Sequence, residues 1–320
     1  MNNKPYSVGI DIGGTNTVFG IVDREGKVVA KGSIPTTGYA GFEEYLAAVH
    51  DALSGLIKAN GAEGKISGIG IGAPGANYRT GEVNASNLNW GKNAPLGRRM
   101  SEIFGGIPVA VTNDANAATM GEMVYGAAKG MEDFVMITLG TGIGSGIVSN
   151  GKLIYGHDGL AGELGHIIVE RKNGRKCGCG RSGCLETYCS STGVVRTARE
   201  FLEGEAPSML RDLPIDSLTS KHVYDAAMAG DKMAKEIFDF TGKVLGEALA
   251  DVVAFSSPEA IVLFGGLMRS GDLLLDPIKK AFDESLLFIY TDKPKILVSQ
   301  LNEDDGAVLG ASALGWDATV

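Results

Sequence analysis

No stretch of the 320-residue sequence collects basic residues: 29 Lys and Arg stand against 38 Asp and Glu, for a net charge of −9. So acidic a chain lacks the positive surface that a phosphate backbone needs, and no nucleic-acid partner is expected. No apolar run approaches the length of a membrane span, so no membrane partner is expected either. The opening residues, MNNKPYSVGIDIGG, reach an acidic residue and paired glycines before a signal-peptide core can form, and a cytoplasmic placement is expected. Four cysteines are too few for a disulfide framework; under reducing conditions they stay available as thiolates for a metal. There is no linker rich in Pro or Ser. What the chain has in quantity is glycine, 47 residues gathered in loops, which suits backbone approaching a ligand. Its length suits two lobes rather than one simple core.

The residues YSVGIDIGGTNTVFGIVDREGKVVAKGSI read as strand, tight Gly turn, strand, polar turn, strand, a β-meander. Between Gly41 and Asn60 the period changes: Phe42, Tyr45, Leu46, Val49, Leu53, Leu56 and Ile57 fall at helical spacing,. Short buried strands are expected over 66–75 and 107–114, with a helix after the second. The opening pattern then recurs as DFVMITLGTGIGSGIVSNGKLIYG over 133–156, an internal duplication with one copy per lobe. Helices are expected over 231–258 and 306–316, with a strand and Gly-Gly turn over 259–267. The lobes are expected to join near Asp114–Gly121 and near Asn302, giving one of residues 1–118 plus 302–320 and another of residues 119–301.

Two glycine turns, 11–17 (DIGGTNT) and 139–146 (LGTGIGSG), are either tight hairpins or phosphate loops whose backbone N–H groups face an anion. Neither matches the P-loop or the Rossmann pattern. With a third turn, FGG at 264–266, they suit a nucleotide. The residues concerned are Asp11, Gly13, Gly14, Thr15 and Asn16, then Gly140, Thr141 and Gly142, then Gly265 and Gly266. Asp11 can hold Mg²⁺ through water, or simply form the turn. Asp114, between a strand and a helix, can cap that helix or take a proton from an attacking hydroxyl. His166 lies upstream of Cys177, Cys179 and Cys184; three thiolates and an imidazole would complete a closed, structural zinc site, against the alternative of free thiols. Such a clip would pin Glu186 beside Glu163, two carboxylates able to accept from sugar hydroxyls, and His166 has a second ring nitrogen to offer. Asn87 is a loop amide able to bond a sugar. Cys189 is read as packing, and His50, His157 and His222 receive no role.

At these residues the chain resembles the ROK family of repressors and sugar kinases, and most closely its bacterial glucokinases. DIGGTNT and LGTGIG are similar to its two phosphate motifs and FGG to its adenosine-side turn; GELGH followed by CGCGRSGCLE is similar to its signature with the zinc site. The resemblance implies an α/β, two-lobed actin/hexokinase-like (ribonuclease H-like) fold with a duplicated β-meander core and a structural zinc. It implies Asp114 as catalytic base on the sugar 6-hydroxyl. Asn113, Glu163, His166 and Glu186 would bind the sugar, with Asn87 added. ATP, Mg²⁺ and structural Zn²⁺ would be the cofactors. Family members form dimers or tetramers, so a homodimer or tetramer is expected.

Glucose is the expected hexose, with N-acetylglucosamine, N-acetylmannosamine, mannose and fructose as alternatives. The family's repressors carry a helix-turn-helix domain ahead of the first phosphate motif. Here that motif begins at Asp11, so no such domain is expected. A non-catalytic sugar sensor is the remaining alternative, and it leaves Asp114 and three nucleotide turns without a purpose.

Overall fold

The structure is a computed structural model describing residues 4–84, 88–290, 292, 294–301 and 303–318, the side chains of Glu303 and Asp304 excepted. Two five-stranded sheets organise the α/β chain, and they share one topology. The first is built from β1 (Tyr6–Ile12), β2 (Asn16–Asp23), β3 (Val28–Pro35), β4 (Ile66–Gly72) and, after a two-stranded ribbon of β5 (Ala76–Asn77) and β6 (Glu82–Val83), β7 (Val109–Thr112). Its order is β3-β2-β1-β4-β7. β1 to β3 form the expected antiparallel meander, and β4 and β7 join in parallel. The second is built from β8 (Phe134–Leu139), β9 (Ile143–Ser149), β10 (Lys152–Leu153), β11 (Ala260–Phe264) and β12 (Lys295–Val298), in the order β10-β9-β8-β11-β12. The duplicated meander is therefore continued by the same parallel extension in each copy.

β4 is buried along its whole length, as a central parallel strand with both faces covered should be,. One face carries α1 (Phe42–Ala59), whose buried side chains Tyr45, Leu46, Val49, Leu53 and Ile57 follow the helical period,. The helix α2 (Leu96–Ile103) buries Leu96 and Met100 in the same core. After β7 the chain enters α3 (Asp114–Tyr125). The next helices are α4 (Glu186–Cys189), α5 (Ser191–Leu202), α6 (Ser220–Met228), α7 (Lys232–Ser256), α8 (Asp272–Ser285) and α9 (Glu303–Asp317). α7 stops at Ser257, which takes the left-handed conformation at φ 46° ahead of Pro258,.

α9 lies against β1 and β4 so closely that side chains are excluded. A Cβ on Gly9 would stand 2.0 Å from the Val308 carbonyl oxygen, and one on Gly70 only 1.8 Å from that of Ala311. In the second sheet's surroundings, α7 packs on α8 through Gly242 and Gly246, where a Cβ would strike Pro277 and the Ile278 carbonyl.

The chain divides into two compact units: Met1–Met131 with Gly146–Ala161 and Ser299–Val320, and Glu132–Ser145 with Gly162–Val298. Relative to the boundaries expected from the sequence, the first unit also takes in residues 119–131, 146–161 and 299–301, and the division runs through β9. Among the described residues no helix is long and apolar enough to cross a membrane.

Candidate functional site

In the first unit, parallel register brings two carboxylates to one strand edge. Asp11 pairs with Gly72, and Gly72 with Thr112, two residues before Asp114. A Cβ on Gly72 would lie 3.9 Å from Asp11 Oδ1 and 3.8 Å from Asp114 Cα, so this glycine sits between the two acids. The C-terminal edge of parallel strands is where α/β sheets place their ligands. Burial, and after it the charge of Asp114, push the Asp11 carboxyl up to about 6,.

The capping role weighed for Asp114 falls instead to Asn113, whose Oδ1 accepts from the Asn116 backbone N–H at 2.7 Å,. Asp114 occupies the first helical position. It is exposed, and its Oδ1 accepts from the Ala115 N–H at 2.9 Å. The first glycine turn is a hairpin of residues 13–15 closed by the Gly13 N–H donating to Asn16. Gly14, Thr15 and Asn16 are exposed at its tip. Thr17 is turned inward, sharing hydroxyl hydrogen bonds with Thr36 and Tyr45. Asn87 lies outside the described residues; nearby, Trp90 packs on Tyr45 with ring centroids 4.6 Å apart.

In the second unit, the hairpin of residues 140–142 is closed by the Gly140 N–H donating to the Gly142 carbonyl at 3.0 Å. Each turn is thus a tight hairpin; the tip of the second is the exposed Thr141, with Gly140 and Gly142 half-buried on either side. Gly265 adopts φ 109°, a conformation that favours glycine, and a Cβ there would meet the Leu139 carbonyl at 2.7 Å,. Next to Gly266 lies a groove of about 270 Å³ lined by Ser220, Lys221, Tyr224, Leu267 and Arg269 among others. None of these five was singled out in the sequence.

Glu163 precedes a single 3₁₀ turn, Leu164–His166, that packs directly on Ile143: a Cβ on Gly165 would stand 2.2 Å from the Ile143 carbonyl. The turn aims the two nitrogens of His166 differently. Nδ1 lies 3.7 Å from Cys177 Sγ, while Nε2 lies 3.9 Å from Glu163 Oε2. His166, Cys177, Cys179 and Cys184 place one donor atom each within 4.8 Å of all the others. Ligands at ordinary Zn–S and Zn–N bond lengths on a tetrahedron stand about 3.6–3.8 Å apart. The Cys177–His166 distance of 3.7 Å and the Cys179–Cys184 distance of 3.6 Å match those edges. The Arg181 backbone N–H draws the Cys179 thiol below its ordinary range, whereas burial raises Cys184. Three thiols, one imidazole and these spacings fit a zinc ion. Cys189 is fully buried away from the cluster, a packing residue as read.

Glu186 opens α4 next to the cluster. Its Oε1 lies 3.8 Å from Cys177 Sγ, and its Oε2 accepts from the Ile143 N–H at 2.9 Å. The segment between these residues is braced by Arg175, a buried guanidinium bonded to both Glu200 oxygens, the Thr187 carbonyl and the Thr197 hydroxyl, and lying over the Tyr188 ring. Neither Arg175 nor the Ser190 cap of α5 was anticipated. The SST run before a helical pattern is the cap signal that could have found Ser190,.

Comparison with known proteins places this geometry in context. A glucokinase of Halalkalibacterium halodurans is 38% identical over 99% of this chain and 95% of its own. One of Thermotoga maritima is 33% identical over 96% of each. The structure is similar to that of a ROK family glucokinase from Streptomyces griseus in complex with glucose and AMPPNP, with TM-score 0.78, 34% identity, and 98% of this chain and 99% of that one covered. The ROK family model matches residues 7–317, and the chain belongs to the ROK family.

Proposed function

We propose that the protein is an ATP-dependent glucose kinase that phosphorylates the sugar 6-hydroxyl. The observation that carries this reading is the full-length similarity to a glucokinase solved with glucose and AMPPNP, on a chain whose exposed Asp114 stands at the end of its parallel strands.

Asp114 is the base: its carboxylate orients the 6-hydroxyl and takes its proton as the oxygen attacks the γ-phosphorus. Asn113, Glu163, His166 and Glu186 bind the hexose, with Asn87 added from the sequence. Carboxylates suit this task because each accepts two hydroxyl donors and so fixes ring orientation. The hairpins of Gly13, Gly14, Thr15 and Asn16 and of Gly140, Thr141 and Gly142 hold the phosphates through tip N–H groups, those of Gly13 and Gly140 being the ones that close the turns,. Gly265 and Gly266, with the groove beside them, take the nucleoside. Mg²⁺ bound with the nucleotide supplies charge neutralisation on the phosphates, and Asp11 is the residue that would hold it through water. His166, Cys177, Cys179 and Cys184 are the residues that would hold zinc, which would supply a structural clip rather than a reacting centre,.

ADP release from Mg-ATP, assayed in parallel with glucose, mannose, fructose and the N-acetylhexosamines, tests the reading. Glucose is expected to dominate. Turnover confined to an N-acetylated sugar would move the substrate and keep the mechanism. No turnover with any sugar, in zinc-replete protein, would overturn the kinase assignment.

A further inference from the structure

Phosphate binding by a glycine hairpin requires its amides to face outward and its carbonyls to face elsewhere. In the hairpin of residues 140–142 every carbonyl is engaged from within the second unit. The Gly140 carbonyl accepts from both the N–H and the hydroxyl of Ser191, each at 2.9 Å. The Thr141 carbonyl accepts from the Thr192 hydroxyl at 2.9 Å. The Gly142 carbonyl accepts from the Gly140 N–H at 3.0 Å. The remaining handle is the peptide between Gly142 and Ile143, whose N–H and C=O point in opposite directions because the unit is planar and trans. Its C=O is held by Gly140, and its N–H by Glu186 Oε2 at 2.9 Å.

Three of these grips come from one short stretch of chain. Glu186 opens α4, the Ser190 N–H and hydroxyl both donate back to the Glu186 carbonyl, and Ser191 and Thr192 follow at once. Residues 186–192 therefore clasp the hairpin from one side. Gly142 is what lets the carboxylate in, since a Cβ there would stand 2.2 Å from Glu186 Oε2. The other carboxylate oxygen abuts Cys177 Sγ at 3.8 Å.

We infer that Glu186 is a positioning residue for the glycine hairpin: through the Ile143 N–H it fixes the peptide plane that turns the hairpin's amides toward the nucleotide phosphates. This rests on the kinase reading and adds to the hexose contact a second task for the same side chain. A hydrogen bond to a charged group is worth enough that its loss is felt as about tenfold in affinity. An amide oxygen replaces the acceptor, so the conservative variant should rescue this task and not the sugar contact.

The test is equilibrium binding of Mg-AMPPNP, without sugar, to zinc-loaded wild type, Glu186→Gln, Glu186→Ala and Thr192→Val. Glu186→Ala should bind the nucleotide about tenfold more weakly and Glu186→Gln within about threefold of wild type, while both raise KM for glucose. Thr192→Val, which leaves Glu186 intact, should weaken the nucleotide severalfold with KM for glucose unchanged. Should Glu186→Ala prove unfolded by near-ultraviolet circular dichroism, Thr192→Val with Glu186→Gln decides the matter. Wild-type nucleotide affinity in Glu186→Ala or in Thr192→Val, or a Glu186→Gln as weak as Glu186→Ala, would overturn the positioning role and leave the kinase reading standing. A wild type that binds no Mg-AMPPNP would overturn both.

Discussion

Asp11 and Asp114 differ in what surrounds them. Asp114 is exposed at the start of α3, where a carboxylate can meet a hydroxyl. Replacing it with asparagine keeps the shape and removes the basic lone pair. Asp114→Asn should bind glucose nearly as wild type does and lose about a thousandfold in turnover, as read by ADP release and by titration with glucose. Turnover near the wild-type level would remove Asp114 from the role of base. Asp11 ionises at about 6 rather than at its ordinary 3.8, chiefly because it is buried. The folded chain thus keeps a proton that the unfolded chain has lost between those values, and stability falls as pH rises through that window. Asp11→Asn escapes this loss. Its stability relative to wild type should grow from pH 4 to pH 7 by up to about 3 kcal/mol in magnesium-free buffer, measured by urea unfolding. A stability difference that does not change with pH would show that burial of Asp11 carries no such charge cost.

At the scale of elements, the fold depends on glycines where α9 meets β1 and β4. Gly70→Ala would drive a methyl group to 1.8 Å from the Ala311 carbonyl, a backbone atom that cannot swing away. A loss of about 3 kcal/mol or more is expected, seen as a lower urea midpoint; an unchanged midpoint would mean that α9 yields easily. The meanders and α1 were legible in the sequence because their apolar periods are clean and the turns of the meanders are marked by glycine. α8 was not, since Pro277 sits inside it and a proline argues against a helix interior. β12, a four-residue strand, carries too short a pattern to stand out. The same contrast holds at the site. The clustering of His166 and the three cysteines was readable because a metal site calls for particular side-chain types at close spacing,. The grip of Ser191 and Thr192 on the hairpin was not, because it is addressed to backbone carbonyls and leaves no signature in the residues it holds.

At the scale of the molecule, the four candidate metal ligands belong to a local framework within the second unit. His166 sits on a turn packed against β9, Cys177 touches Glu186, and Arg175 ties the intervening loop to α5. Stripping zinc with a chelator should lower the melting temperature by about 5–10 °C and weaken glucose binding together, with one zinc per chain recovered in the released metal. Purified protein that holds no zinc, or chelation without effect on either property, would refute the clip. Cys179→Ser should reproduce the chelated protein.

The close seating of α9 on Gly9 and Gly70 also bears on how the protein is made. The first unit joins strands from the beginning of the chain to a helix that ends at Asp317. At ribosomal speeds of about 5–20 residues per second, roughly 15–60 s separate the emergence of β1 from that of its covering helix. The second unit is nearly continuous in sequence and is complete before that helix appears. β1 and β4 therefore remain uncovered on that face until α9 has been translated.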